Sequence, residues 1–223
     1  MNKQIFRQAF GKFFAGLLCV ALPVFLSAGT VRFWNGWLLI AILFVPMFAA
    51  GIVLMRRSPK LLKKRLNAKE KESEQKLVLV LSAVMFLSAF VVAGLNFRFR
   101  LIVLPAWAAW IGAALCLAAY VMYAEVLREN AYLSRTVEVQ EDQKVIDSGL
   151  YGVVRHPMYA ATLVLFLSMG IVLGSPISCA ILLLYIPIIA LRIRNEEHVL
   201  EQGLAGYGAY RKKVKYKVIP FIW

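Results

Sequence analysis

Histidine and cysteine are scarce in this chain of 223 residues, which contains two histidines and three cysteines. Cys19, Cys116 and Cys179 lie far apart in apolar stretches, and no two cysteines are spaced as a Cys-x-x-Cys pair. This distribution provides neither the ligands of a structural zinc site nor the pairs of a disulfide-rich scaffold. We therefore predict that the protein binds no metal and that the cysteines are packing residues.

Charged residues are also few, at 17% of the chain. Acidic residues are the scarcer kind, with 12 Asp and Glu compared with 26 Lys and Arg. Soluble domains contain about 25% charged residues and roughly 45–50% apolar ones, whereas this chain is 61% hydrophobic. A net charge of +14 would suggest nucleic acid in a soluble protein. In so apolar a chain it is typical of loops that face anionic lipid. The composition predicts an integral membrane protein with lipid, and no nucleic acid, as a partner.

Six apolar stretches have about the length that a membrane helix requires, which is roughly 20 residues. The last two are short and form a hairpin around Gly174-Ser175-Pro176, a strong turn signal, and Pro187 should kink the final stretch. The predicted fold is therefore all-α: a polytopic bundle of about six membrane helices, the last two a short hairpin. The stretches are 13–29, 34–55, 77–95, 101–123, 158–173 and 177–193.

Basic residues predict the orientation of this bundle. Between the stretches, one side carries only Arg32, Arg98 and Arg100, whereas the other side carries the remaining Lys and Arg and all of the acids. The positive-inside rule then places both termini in the cytoplasm. We interpret the segment 56–76 as a solvated, lipid-facing basic loop on that side, where any catalytic face should also lie.

Arg155 and His156 directly precede Pro157 on the predicted cytoplasmic side. Proline suits the first turn of a helix, so both residues should lie just ahead of the fifth membrane helix. A helix N-terminus, an arginine and a histidine together would bind a carboxylate or phosphate. The alternative is that both side chains reach out to lipid headgroups.

A pair of adjacent carboxylates, Glu196 and Glu197, follows the last apolar stretch, with Arg192 one helical turn before Glu196. Such a pair could bind a cation such as an amine or a sulfonium, or it could simply form ion pairs within the helix. The tail after it alternates aromatic and basic residues, which favours the membrane interface.

These two clusters resemble the paired motifs of the isoprenylcysteine carboxyl methyltransferases and phospholipid methyltransferases. The first is Gly149-x-Tyr151-x-x-Val154-Arg155-His156-Pro157-x-Tyr159. The second is Arg192-x-x-x-Glu196-Glu197-x-x-Leu200, followed by Tyr207-x-x-Tyr210-x-x-x-Val214 and Pro220. The resemblance covers about residues 130–223. The run Ser134-Arg135-Thr136-Val137-Glu138-Val139-Gln140 resembles bacterial members, which implies the bacterial inner membrane as the location.

The resemblance implies an enzyme that transfers a methyl group from S-adenosylmethionine, bound on the cytoplasmic side, to a lipophilic or amphiphilic acceptor. It implies residues 131–223 as the catalytic region and 1–130 as N-terminal membrane helices of the same structural domain. The cofactor-binding residues that it implies are Tyr151, Arg155, His156, Tyr159, Glu196, Glu197 and Tyr207. It also implies that Glu196 and Glu197 are catalytic, and we add Arg211 as a candidate for holding an anionic acceptor.

The sequence departs from the family motifs at two places, and it leaves three types of methyl transfer open. Leu150 replaces the proline of the first motif, and Leu204-Ala205-Gly206 stands where prenylcysteine enzymes have Phe-Gly. Carboxyl O-methylation of an isoprenylcysteine-like acceptor is the primary prediction, with phospholipid or amine N-methylation and thiol S-methylation as alternatives. More remote alternatives are a sterol-reductase-like enzyme, for which the chain is short, and a non-catalytic membrane protein.

Overall fold

A computed structural model describes residues 3–66, 73–133 and 139–223. Within these ranges the regular structure consists of helices, and no strand is assigned, so the all-α prediction is confirmed. Residues 134–138 of the run Ser134–Gln140 lie outside the described residues. The helices are α1 (Lys3–Ala28), α2 (Trp34–Arg57), α3 (Pro59–Leu66), α4 (Ser73–Phe99), α5 (Ala106–Glu129), a 3-10 turn (Gly149–Gly152), α6 (Pro157–Val172), α7 (Pro176–Leu182), α8 (Tyr185–Gly203) and α9 (Tyr207–Lys213).

Within the described ranges, five helical segments are long and apolar enough to cross a membrane: Phe6–Ala28, Trp34–Arg57, Gln75–Phe99, Ala106–Glu129 and Pro176–Gly203. The fifth predicted stretch is α6, whose 16 residues extend about 24 Å, less than the roughly 30 Å of a bilayer core. The sixth is divided into α7 and α8 between Leu182 and Tyr185. Pro187, in the first turn of α8, has no amide hydrogen to bond one turn earlier, which explains the interruption.

The surface of α1 indicates that the helical bundle is surrounded by lipid. Large apolar side chains are exposed along the whole length of this helix, and in water so large an apolar surface would promote association or aggregation. In a membrane the same surface is covered by acyl chains. The protein is therefore an integral membrane protein. The exposed side chains are those of Phe6, Phe10, Phe14, Leu18, Leu22 and Leu26.

Close helix packing brings the two motifs together. A Cβ atom on Gly112 of α5 would lie 2.8 Å from the backbone nitrogen of Val172 at the end of α6, so the glycine allows these helices to approach closely. The antiparallel arrangement sets the end of α5 beside the start of α6. Ser178 of α7 donates a hydrogen bond to the carbonyl oxygen of Ala89 in α4 at 3.0 Å. The α6–α8 hairpin is thereby fixed against α4 and α5.

The connector 56–76 differs from the predicted solvated loop. Residues 59–66 form α3, and Leu62 in it is buried. Arg65 donates a hydrogen bond to the hydroxyl of Tyr123 in α5, and Gln75, in the first turn of α4, is fully buried. The prediction was wrong for Leu62, Arg65 and Gln75, which are buried or hydrogen-bonded against other helices, whereas Arg56, Arg57 and Lys63 are exposed as predicted; residues 67–72 lie outside the described residues.

Candidate active site

A pocket lies between the loop 139–148, the 3-10 turn, the start of α6, the second half of α8 and α9. It contains about 840 Å3 of empty space, part of which is open to solvent, and its wall combines apolar and polar side chains, as ligand pockets do. Six of the eight predicted site residues line it: Tyr151, Arg155, His156, Tyr159, Glu196 and Tyr207.

The 3-10 turn that forms one wall is fixed by the end of α5. Gly149 has a φ of +53°, and a Cβ atom there would lie 1.5 Å from Glu129 Oε1. The Glu129 carboxylate accepts a hydrogen bond from the backbone amide of Leu150 at 3.0 Å, a donor that proline would lack. Leucine in place of the motif's proline at position 150 therefore allows this hydrogen bond to Glu129. Asn130 donates a hydrogen bond to the Tyr151 hydroxyl at 2.9 Å. Burial raises the pKa of Tyr151 to about 12.

The start of α6 agrees with the sequence prediction, since Pro157 occupies its first turn and His156 caps it. The backbone amides of Arg155 and His156 donate to the carbonyl oxygens of Tyr216 and Lys217 at 2.9 and 2.8 Å. The Arg155 guanidinium also donates, through Nη1, to two further carbonyl oxygens of this segment at 2.8 Å, those of Val214 and Lys215. Residues 214–217 therefore form part of the site.

Glu197 binds this end of α6 from α8. Its Oε1 accepts a hydrogen bond from Arg155 Nε at 2.8 Å and lies 3.2 Å from His156 Nε2, while Oε2 lies 3.4 Å from Lys217 Nζ. The side chains of Arg155 and Glu197 are only 4% and 7% exposed, so each compensates the buried charge of the other. The anion site predicted at the start of α6 thus holds a carboxylate of the chain itself.

Glu196 points elsewhere, although it is the neighbour of Glu197. It lines the pocket and accepts a hydrogen bond from the hydroxyl of Tyr159. The same hydroxyl oxygen accepts a hydrogen bond from Arg192 Nε at 2.9 Å. Two adjacent carboxylates therefore have different roles: Glu197 joins α8 to α6, and Glu196 presents negative charge to the pocket.

Tyr207 provides a polar group on the opposite wall. Its hydroxyl is buried and has no hydrogen-bond partner among the described residues, which is unusual because buried polar atoms are nearly always paired. Burial raises its pKa well above the usual tyrosine value, so the hydroxyl keeps its proton at neutral pH. Its apolar surroundings are Leu204, Tyr210 and Val214, covered by Val139 and Val145 of the loop.

Residues 110–202 match the isoprenylcysteine carboxyl methyltransferase (ICMT) family. This match agrees with the resemblance of the two motifs, and it covers the segment from α5 to α8 that contains Arg155, His156, Glu196 and Glu197. The ICMT family is a family of methyltransferases. No curated protein matches the chain in the comparison made.

The ICMT match ends before α9, and the structure leaves one predicted residue of that helix outside the pocket. Arg211 does not line it; its side chain is 47% exposed and forms an ion pair with Glu201. Tyr207 and Tyr210 line the pocket, whereas the guanidinium of Arg211 contacts Glu201 of α8. Among the described residues no group of three His, Cys, Asp or Glu side chains could hold a metal.

Sequence reasoning missed two parts of the site around the ICMT segment. The first is the backbone of residues 214–217, which the aromatic-basic pattern placed at the membrane interface. Val214 and Val218 are 3% and 1% exposed, and this four-residue spacing of valines among lysines was a signal that one face of the tail is buried. The second is Gln75, which no local pattern distinguishes from its polar neighbours.

Proposed function

We propose that this protein is a membrane methyltransferase that uses S-adenosylmethionine and acts on a lipophilic or amphiphilic acceptor. The observation that carries the proposal is the position of Glu196: a carboxylate that lines a pocket, within the segment that matches a methyltransferase family. Residues 131–223 are the proposed catalytic region, which rests on the membrane helices of residues 1–130.

The residues of the pocket fit such a cofactor. When bound, S-adenosylmethionine supplies a methyl group on a positively charged sulfur. Glu196 offers the negative charge that such a sulfonium, or an ammonium group, requires in a partly desolvated site. The buried hydroxyl of Tyr207 offers a hydrogen bond that no described residue uses, and Tyr151 offers a second hydroxyl in the same pocket.

The surroundings of Glu197 favour carboxyl O-methylation over an N-methylation in which this glutamate is the base. An amine acceptor must lose a proton before it can attack, whereas a carboxylate acceptor is already ionised. Glu197 contacts the positive groups of Arg155 and Lys217, and two such groups make a carboxylate a poor base. An acceptor that arrives ionised, such as the carboxylate of a lipid-modified cysteine, needs no base from the protein.

The direct test is methyl transfer in membranes that contain the protein, with labelled S-adenosylmethionine and a farnesylcysteine derivative as acceptor. We expect label in the lipid extract that is released as volatile methanol by base, as for a methyl ester. Stable label in the same extract would indicate N- or S-methylation instead. Failure of the purified protein to bind S-adenosylmethionine in detergent would refute the proposal as a whole.

The unpaired hydroxyl leads to an expectation for Tyr207→Phe. The variant should unfold at the same or a slightly higher temperature than the wild type, because it removes a buried polar atom without a partner. It should bind S-adenosylmethionine roughly fivefold more weakly, corresponding to about 1 kcal/mol for one hydrogen bond. Thermal unfolding and calorimetric titration of the same preparation measure both effects; lower stability with unchanged affinity would contradict the assignment.

The proposed orientation, with both termini cytoplasmic in a bacterial inner membrane, can be tested by cysteine labelling. Val103 and Lys212 are both exposed and lie on opposite sides of the membrane in this proposal. In sealed right-side-out vesicles an impermeant maleimide should label Val103→Cys at once and Lys212→Cys only after permeabilisation. A variant of Cys19 to Ser provides the background. The reverse labelling pattern would invert the orientation and the side from which the cofactor enters.

A further inference from the structure

Gln75 lies in the first turn of α4, outside the segment that matches the family, and its side chain is fully buried. A buried amide is costly unless both its oxygen and its nitrogen are hydrogen-bonded. Gln75 Oε1 accepts a hydrogen bond from Arg192 Nη1 at 2.9 Å. Gln75 Nε2 donates to the backbone carbonyl oxygen of Arg192 at 3.3 Å. Both ends of the amide are therefore directed to a single residue of α8.

Arg192 transmits this contact to the pocket. Its Nε donates to the hydroxyl oxygen of Tyr159 at 2.9 Å, and the hydroxyl of Tyr159 donates to Glu196 Oε2. A hydroxyl has one proton to donate, and the hydrogen bond from Arg192 occupies its oxygen, so the proton is directed to Glu196. Gln75, Arg192, Tyr159 and Glu196 form one continuous chain of hydrogen bonds from α4 to the wall of the pocket.

The orientation of Arg192 matters because Glu196 is an alternative partner for its guanidinium. Arg192 and Glu196 are one turn apart on α8, a spacing at which an arginine and a glutamate pair directly. Among the described residues, Gln75 holds one edge of the planar guanidinium and Tyr159 holds another, and these two contacts orient the group. Without the amide, the guanidinium could turn towards Glu196 and neutralise the charge that the pocket presents to a ligand.

We infer that Gln75 is a positioning residue for the cofactor site, which keeps Glu196 available by holding Arg192 away from it. This inference rests on the proposed function and extends it, because it makes the N-terminal membrane helices part of the machinery that binds the cofactor. Gln75 acts through Arg192 and Tyr159 and does not itself line the pocket.

The test compares S-adenosylmethionine binding by calorimetry in detergent for the wild type, Gln75→Leu and Gln75→Glu. Leucine removes the acceptor, and we expect the dissociation constant to rise fivefold or more. Glutamate keeps an acceptor for Arg192 Nη1, and we expect binding within about threefold of the wild type. Gln202→Leu is the control for the same amide-to-leucine change, since Gln202 is exposed and its hydrogen bond within the described residues is to the exposed ring of His198. The affinity of this variant for S-adenosylmethionine should equal that of the wild type.

A double-mutant cycle with Glu196→Gln separates positioning from a general loss of structure. If Gln75 acts through Glu196, Gln75→Leu should have little further effect on affinity once the Glu196 charge is gone. An equal loss of affinity in both backgrounds, an unchanged affinity of Gln75→Leu, or a Gln75→Glu variant as weak as Gln75→Leu would each overturn the inference. If Gln75→Leu does not fold, Gln75→Met, which keeps the length of the side chain, takes its place. Failure of the wild type to bind S-adenosylmethionine would instead refute the proposed function.

Discussion

Replacement of Glu197 by glutamine should destabilise the protein more than any other single change at the site. Glu197 compensates the buried guanidinium of Arg155 and contacts His156 and Lys217. Removal of one partner of a buried ion pair costs about 3–5 kcal/mol, because the other charge stays buried and uncompensated. We expect the thermal unfolding temperature in detergent to fall by roughly 6 °C or more. Methyl transfer should fall with it, because Arg155 and His156 line the pocket.

The matched control for Glu197→Gln is Glu201→Gln, the same change one turn further along α8. Glu201 forms an ion pair with Arg211, but both side chains are partly exposed, and exposed pairs contribute about 0–1 kcal/mol. The unfolding temperature of Glu201→Gln should therefore stay within about 2 °C of the wild type. An equally small shift for Glu197→Gln would mean that the buried ion pair does not hold α8 to α6.

Replacement of Glu196 by glutamine should weaken cofactor binding strongly but change the stability of the fold little, in contrast to Glu197→Gln. Glutamine can still accept the hydrogen bond from Tyr159, so we expect the unfolding temperature to change little. The pocket loses its negative charge, and S-adenosylmethionine should bind at least tenfold more weakly, which corresponds to about 1.4 kcal/mol. Calorimetric titration of purified protein measures this loss, and the thermal transition of the same sample shows whether the fold is intact.

A comparison of two ligands shows what Glu196 recognises. S-adenosylhomocysteine has the ammonium group of the cofactor but no charge on its sulfur. If Glu196 faces the sulfonium, Glu196→Gln should weaken the binding of S-adenosylmethionine more than that of the homocysteine compound. An equal loss for both ligands would place the carboxylate at the ammonium group. Full binding of both ligands would remove Glu196 from the cofactor site.

Much of the architecture could be predicted from the sequence because the membrane imposes simple length and polarity rules. Five of the six predicted stretches correspond to single helices of the structure, and Pro157 begins α6 as its lack of an amide hydrogen requires. The sixth stretch differs only in the interruption between Leu182 and Tyr185. These features depend on local chemistry, which is present in a short window of sequence.

The division of roles between Glu196 and Glu197 could not be predicted in the same way. Successive residues point about 100° apart around a helix, so adjacent carboxylates must face different surroundings. Which of them meets Arg155 depends on the rotation of α8 against α6, and that rotation is set by contacts far apart in the sequence. The contact of Gln75 with Arg192 spans 117 positions, and no local pattern encodes it.

The participation of residues 214–217 in the site has a consequence for how the protein is made. These residues leave the ribosome after the five candidate spans of the described residues, yet their carbonyl oxygens complete the hydrogen bonding of Arg155 and of the backbone at the start of α6. A nascent chain can therefore have these five spans inserted while the wall of its pocket is still incomplete. Membrane insertion and acquisition of a competent site are then separate events in biogenesis, and the cofactor can stabilise only the product of the second.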